Sequence, residues 1–309
     1  MISFRNMDSL EVERRCHFYE TYFLENKKCT LQFQNYNDPM DCSKNINSVI
    51  ERMKFSVEDE TLMEFERNNQ MIPLDNFNWL KTSERACYWL WGCLRFSIDP
   101  IIDYRYRYRF DDAWLENVRL YEKLNFNCTP SSTSERFKLT LLFFDAWRAF
   151  SLIDKISYLE RKKDEWLKIN SSPDIFKWLN KDDLSQCEWV WKYILKSQQP
   201  DPPDKCLLGN SSFPSCSLNP LTHNEKYLAS YASYDLWVAH KDTKKLFLKN
   251  INKAWSQKKL RDTREGKKPL NTYLKNETKR RLDELSQCYD MNKQGVLEML
   301  INKEYENKK

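Results

Sequence analysis

Glycine is nearly absent from this chain. Only Gly92, Gly209, Gly266 and Gly295 occur in 309 residues, and no two are neighbours. Phosphate-cradling loops and dinucleotide fingerprints need grouped glycines for close backbone approach, so both are excluded in their usual form. Histidine is scarcer still: His17, His223 and His240 stand alone, with no His-Glu-x-x-His spacing. Long apolar runs are missing too. The most apolar window, 139–153, is broken by Asp145 and Arg148, well short of the roughly 20 residues that cross a bilayer. The first residues, with Arg5, Asp8, Glu11 and Glu13, contain no apolar signal-peptide core. A cytoplasmic protein with no membrane partner is expected.

Cysteine, by contrast, is plentiful, with ten residues scattered through the chain and no Cys-x-x-Cys. Cys16, Cys29 and Cys42 are spaced by thirteen but have no paired histidine, so reduced thiols are expected, with no metal and no cofactor. Acid pairs such as Asp111–Asp112 and Asp182–Asp183 read as solvated helix starts. No set of residues has the spacing of a catalytic constellation, and the chain is not expected to be an enzyme.

The low glycine content, 14 % aromatics and 31 % charged residues point to a mainly α fold. Short helices are expected over Leu10 to Glu25 and Asn47 to Arg67, and a helical run over Asn76 to Phe96 is ended by Pro100. Ser132-Thr133-Ser134-Glu135 is a capping-box pattern, expected to open one long helix through about Leu167. Asp183 to Lys196 repeats Leu184, Cys187, Trp191 and Leu195 on one side. The stretch 199–220, with Pro200, Pro202, Pro203, Pro214 and Pro220, reads as a loop or linker. Tyr104-Arg105-Tyr106-Arg107-Tyr108-Arg109-Phe110 alternates cations with rings and is a secondary candidate for touching nucleic acid, against the simpler reading of a half-buried element with snorkelling arginines.

Charge is concentrated at one end. From Lys241 to Lys309 there are 19 Lys and Arg against 10 Asp and Glu, whereas the other 240 residues hold 31 against 35. Such a basic field favours phosphate binding through counterion release. Lys253, Lys258, Lys259, Arg261, Arg264, Lys267 and Lys268 lead directly into Lys268 to Lys275, where Leu270, Thr272 and Leu274 alternate with Asn271, Tyr273 and Lys275. That is the period of a strand with one buried face and one offered face. Asn276 is expected to cap a helix to Tyr289, with Thr278, Leu282, Leu285 and Tyr289 as its stripe. Asn292 is expected to cap a second helix to Tyr305, with Val296, Leu297, Leu300 and Ile301 as the matching stripe.

Strand, helix, helix is the order of a ribbon-helix-helix DNA-binding unit. A lone strand has no partner in its own chain, so a homodimer is expected, its core formed by Leu270, Leu274, Leu282, Leu285, Leu297 and Leu300. The paired ribbon would enter the major groove and read bases through Asn271, Tyr273 and Lys275. Lys258, Arg261, Arg264, Lys267 and Lys268, with the backbone N–H groups around Asn292, Lys293 and Gln294, would hold phosphates.

Glu188-Trp189-Val190-Trp191-Lys192-Tyr193, Leu236-Trp237-Val238-Ala239-His240, the basic helix Leu246 to Arg261 and the segment Lys268 to Glu304 resemble successive parts of the MatP family, the organiser of the chromosomal terminus macrodomain. The resemblance covers roughly residues 185 to 305. It implies a small helical bundle before the ribbon-helix-helix and a dimer on a short palindromic site, with Asn271, Tyr273 and Lys275 in the ribbon positions and Lys258, Arg261 and Lys268 on the DNA backbone. Residues 199–220 fall where that family has helix, and the first 180 residues have no counterpart there.

The expected organisation is therefore a helical domain over 1–180, a MatP-like bundle over 181–262 with a Pro/Ser-rich insertion at 199–220, and a ribbon-helix-helix over 263–309. The expected function is sequence-specific binding of double-stranded DNA, as a transcriptional regulator or a chromosome- or plasmid-organising, nucleoid-associated factor. Residues 1–180 would then serve dimerisation or recruit a protein partner. The alternative makes residues 1–180 an effector in a mobile-element or defence module, targeted or autoregulated by the C-terminal domain.

Overall fold

Polar side chains that accept the first free N–H groups mark most helix starts in this chain. The computed structural model describes residues 2–33, 35–36, 38–96, 119–147, 151–172, 174–197, 218–266 and 268–308. Among them the elements are α1 (Ser9–Lys27), α2 (Pro39–Arg52), α3 (Val57–Gln70), a 3-10 turn (Leu74–Phe77), α4 (Asn78–Lys81), α5 (Glu84–Phe96), α6 (Leu120–Lys123), α7 (Thr133–Ala146), α8 (Leu152–Asn170), α9 (Leu184–Lys196), α10 (His223–Leu236), α11 (Lys241–Asp262), α12 (Asn276–Cys288) and α13 (Lys293–Asn307). The protein is mainly helical, and no strand forms among the described residues. None of the described helices is long and apolar enough to cross a membrane. The Tyr104–Phe110 patch, Asp111, Asp112, Pro100 and nearly all of the 199–220 stretch lie outside the described residues.

Local caps divide what periodicity alone runs together. The single helix expected from Ser132 to about Leu167 is two, because Ser151 accepts from the Asp154 N–H at 3.2 Å and its hydroxyl donates to the Asp154 carboxylate at 2.9 Å. Ser132 caps α7, but Glu135 reaches back to the Ser131 N–H at 2.7 Å, one residue earlier than the capping-box pattern implies. Likewise the helix expected over Asn47 to Arg67 is interrupted: α2 ends at Arg52, and Ser56 with Asp59 makes a capping box that opens α3. The run expected over Asn76 to Phe96 divides into α4 and α5, with the Ser83 hydroxyl accepting from the Ala86 N–H.

The described chain divides into two compact units, Met1–Leu248 and Lys249–Lys309, with the division inside α11. The first unit has two apolar cores. One gathers Phe4, Val12, Cys16, Tyr19, Phe23, Cys42, Ile46 and Met63 from α1 to α3 and their flanks. The other, larger core is built around Trp91 on α5, with Phe143, Phe144, Trp147, Tyr158, Leu228 and Ala232. In this core α5 packs on α7 and on α10, and α10 on α9, so the expected break at 180/181 falls inside the first unit.

Arg14, 1 % exposed, ties the two cores together. Its Nε and Nη2 each donate to the Asp145 carboxylate at 2.7 Å, and Nη2 also donates to the Ile72 carbonyl at 2.9 Å. Buried charges persist only when paired and hydrogen-bonded, and this geometry satisfies both requirements. Arg136 and Glu225 form a second buried bidentate pair, with the guanidinium 3.8 Å from the Tyr88 ring centroid.

Candidate nucleic-acid interface

The second unit begins on the basic half of α11 and ends with the hairpin of α12 and α13. After α11 the chain turns at Gly266, whose φ of +74° is a conformation that side chains resist. Residues 268–275 follow with no regular secondary structure, and every one is exposed. A strand is held by its ladder, and among the described residues no second edge is present for this segment. Tyr273 projects fully, at 105 % relative exposure, while Leu270 and Leu274 of the alternate register are also uncovered, at 71 % and 41 %.

The start of α12 differs from expectation. Asn276 is the first helical residue and caps nothing. Lys275 holds the N-cap position with φ −57° and ψ 146°, and its carbonyl accepts from the Lys279 N–H at 3.0 Å. A lysine side chain has no acceptor to offer, so the first N–H groups of α12 have no side-chain cap. At α13 the expected cap is present: Asn292 Oδ1 accepts from the Gly295 N–H at 2.8 Å. Between the two helices Asp290 adopts φ +49°, the Met291 N–H returns to the Ser286 carbonyl at 3.1 Å and the Asp290 N–H to the Gln287 carbonyl at 3.3 Å. This is a Schellman turn with aspartate in the left-handed position.

The hairpin covers only part of its apolar stripes. Leu282 is 8 % exposed and Val296 fully buried, and Leu285 and Leu297 are half-buried. Leu300, Ile301, Tyr289 and Met291 remain 38 %, 58 %, 49 % and 40 % exposed. Thr278 is exposed as well. Leu282 therefore belongs to the core of the hairpin itself, whereas Leu270 is mostly exposed and Leu274 and Leu300 are only partly covered within one chain.

The cations fall into two groups. Lys258 is held by Asp262 at 2.5 Å and Lys293 by Asp283, so both carry a carboxylate already. Lys259, Arg261, Arg264, Lys268 and Lys275 are exposed and have no carboxylate partner among the described residues. Lys279 joins them, exposed and one helical turn after Lys275. The Lys275-x-x-x-Lys279 spacing at a helix start is the sequence signal for it. Gln294 donates its side-chain amide to Glu298 at 2.8 Å, leaving its role at the helix end to its backbone N–H. Lys267 lies outside the described residues.

No family model matches the chain, and no curated protein or solved structure matches it. Among the described residues no group of histidine, cysteine and carboxylate side chains could hold a metal ion. The eight described cysteines are free thiols, and burial pushes the Cys87 and Cys93 thiols up to about 12.

Proposed function

We propose that this chain is a sequence-specific double-stranded DNA-binding protein that acts as a homodimer, with residues 268–275 pairing across the dimer as a ribbon in the major groove. One observation carries the reading: the segment is uncovered on both of its faces. Leu270 on one side is mostly exposed and Leu274 partly so, while Asn271, Tyr273 and Lys275 on the other are exposed. Pairing with a second copy would complete the ladder, bury the leucines against the open stripe of the hairpin and leave the polar face for base edges. Lys259, Arg261, Arg264, Lys268 and Lys279, which have no carboxylate partner among the described residues, supply the phosphate contacts, joined by the N–H groups at the start of α13. A MatP-like arrangement of residues 185 to 305 is part of this proposal and would favour a role in organising or regulating DNA.

The test uses the full chain on duplexes selected from a random pool. Asn271→Ala should reduce discrimination between selected and random duplexes by about 1–3 kcal/mol, because an amide reads a base edge with paired hydrogen bonds. Lys268→Ala should weaken both duplexes alike and flatten the dependence on salt. Equal effects of the two changes on both duplexes would remove the segment from the groove.

A further inference from the structure

A surface helix normally turns its apolar stripe to the core and its charges to water. In α3 the arrangement is reversed. Met63 is its one fully buried side chain, whereas Val57, Leu62 and Phe65 are 81 %, 53 % and 62 % exposed. The contacts that hold α3 on α1 are polar instead: the Tyr19 hydroxyl donates to the Glu64 carboxylate at 2.5 Å, and Lys27 reaches Asp59 at 3.4 Å. Half-buried Arg67 donates to the same Glu64 carboxylate at 2.7 Å, and the capping box of Ser56 and Asp59 fixes the helix start. Three of the four large apolar residues of α3 are thus not used to hold it in place.

Helical spacing gathers these residues on one face. Val57, Thr61 and Phe65 follow one another at i+4 in a single row, and Leu62, three residues before Phe65, is its neighbour on the surface. On the adjoining row Glu58 and Glu66 stand four residues to either side of Leu62, the first exposed and the second half-buried. The helix as a whole is acidic, with Glu58, Asp59, Glu60, Glu64 and Glu66 against Arg67 alone. A partner that covers Leu62 and Phe65 must therefore bring apolar residues flanked by cations. Nucleic acid and anionic lipid would be repelled.

We propose that the outer face of α3 docks a basic amphipathic helix of a partner protein, its apolar residues on Leu62 and Phe65 and its flanking Lys or Arg against Glu58 and Glu66. The exposed row from Val57 to Phe65 runs for about 12 Å at 1.5 Å per residue, so a partner helix can lie along it with anchors at i, i+3 and i+4. This face is opposite in charge to the cations of residues 253–279, so the two serve different partners.

The probe is a fluorescein-labelled synthetic helix of leucine and lysine, with leucines at i, i+3, i+4 and i+7, titrated with the full chain and read by fluorescence anisotropy. A control peptide carries glutamate in place of every lysine. Saturable binding at one site per chain is expected for the lysine peptide and none for the control. Leu62→Ser and Phe65→Ser together should weaken binding by about tenfold or more, because docking buries the apolar area that they remove. Glu58→Gln with Glu66→Gln should weaken it by about threefold or more and flatten its dependence on salt. If the serine pair does not fold, the glutamine pair carries the test. Absence of saturable binding to the native chain overturns the proposal, as does unchanged binding in the serine pair or equal binding of the glutamate peptide. Self-association of the native chain in sedimentation that the serine pair abolishes overturns it too, by assigning the face to a second copy of this chain.

Discussion

Replacing Leu270 and Leu274 together by alanine tests the proposed dimer at its least covered point. In one chain these side chains are 71 % and 41 % exposed and touch little that their loss would disturb. Full burial of a leucine side chain contributes about 1.5–3 kcal/mol. Covering the exposed fractions is then worth roughly 2–3 kcal/mol per chain, and about 3–7 kcal/mol in a two-fold dimer where each contact occurs twice. Alanine keeps the Cβ, so the expected loss is about 2–5 kcal/mol, or a dimer dissociation constant weaker by about 30-fold to a few thousand-fold. Sedimentation of the full chain across a concentration series reads that constant directly. Helix content by circular dichroism should not change, since both residues precede α12 and carry no regular structure. A dimer whose dissociation constant is unmoved by the double change, or a native chain that stays monomeric at micromolar concentration with its DNA present, would refute the pairing of residues 268–275.

Other outcomes can be stated from single residues. Asp290→Gly should stabilise the α12–α13 hairpin by about 1 kcal/mol, because only glycine takes the left-handed conformation without steric cost; urea denaturation of the full chain reads it. Arg14→Ala leaves the Asp145 carboxylate, 9 % exposed, without its partner, and should cost about 3–5 kcal/mol in the same measurement. Burial lowers the His17 imidazole, but hydrogen bonds to Glu13 and Glu20 more than offset that and push it up to about 9. Because this folded value lies above the unfolded one, the stability it confers is complete below about pH 6.5 and is lost as pH rises through about 9. The ring is 37 % exposed, so solvent screening should limit the effect to about 1 kcal/mol, and His17→Gln should flatten the pH profile over that window.

Signals confined to three or four residues were legible in the sequence. Asp183, Ser132 and Asn292 accept from the N–H groups that their positions imply, and the bounds of α9, α12 and α13 fall within two residues of those expected. The Ser151/Asp154 and Ser56/Asp59 caps are equally local, yet apolar periodicity running through both sites concealed the breaks. Pairings between distant residues could not be read at all. Arg14 meets Asp145 across 131 residues and Arg136 meets Glu225 across 89, and no local pattern specifies either. At the candidate interface the composition showed a cluster of cations but not their pairing. Lys258 and Lys293 look like free phosphate contacts in sequence, whereas each already holds a carboxylate.

The exposed segment at 268–275 has a consequence for dosage. On the proposed reading one chain cannot read DNA by itself, so occupancy of a site follows the concentration of paired chains, which below the dimer dissociation constant rises as the square of the total. Doubling synthesis would then raise the competent species about fourfold by mass action, and halving synthesis would lower that species to about a quarter. A weak ribbon contact would make the protein a sensor of its own abundance, and the two uncovered leucines would set the concentration at which it responds.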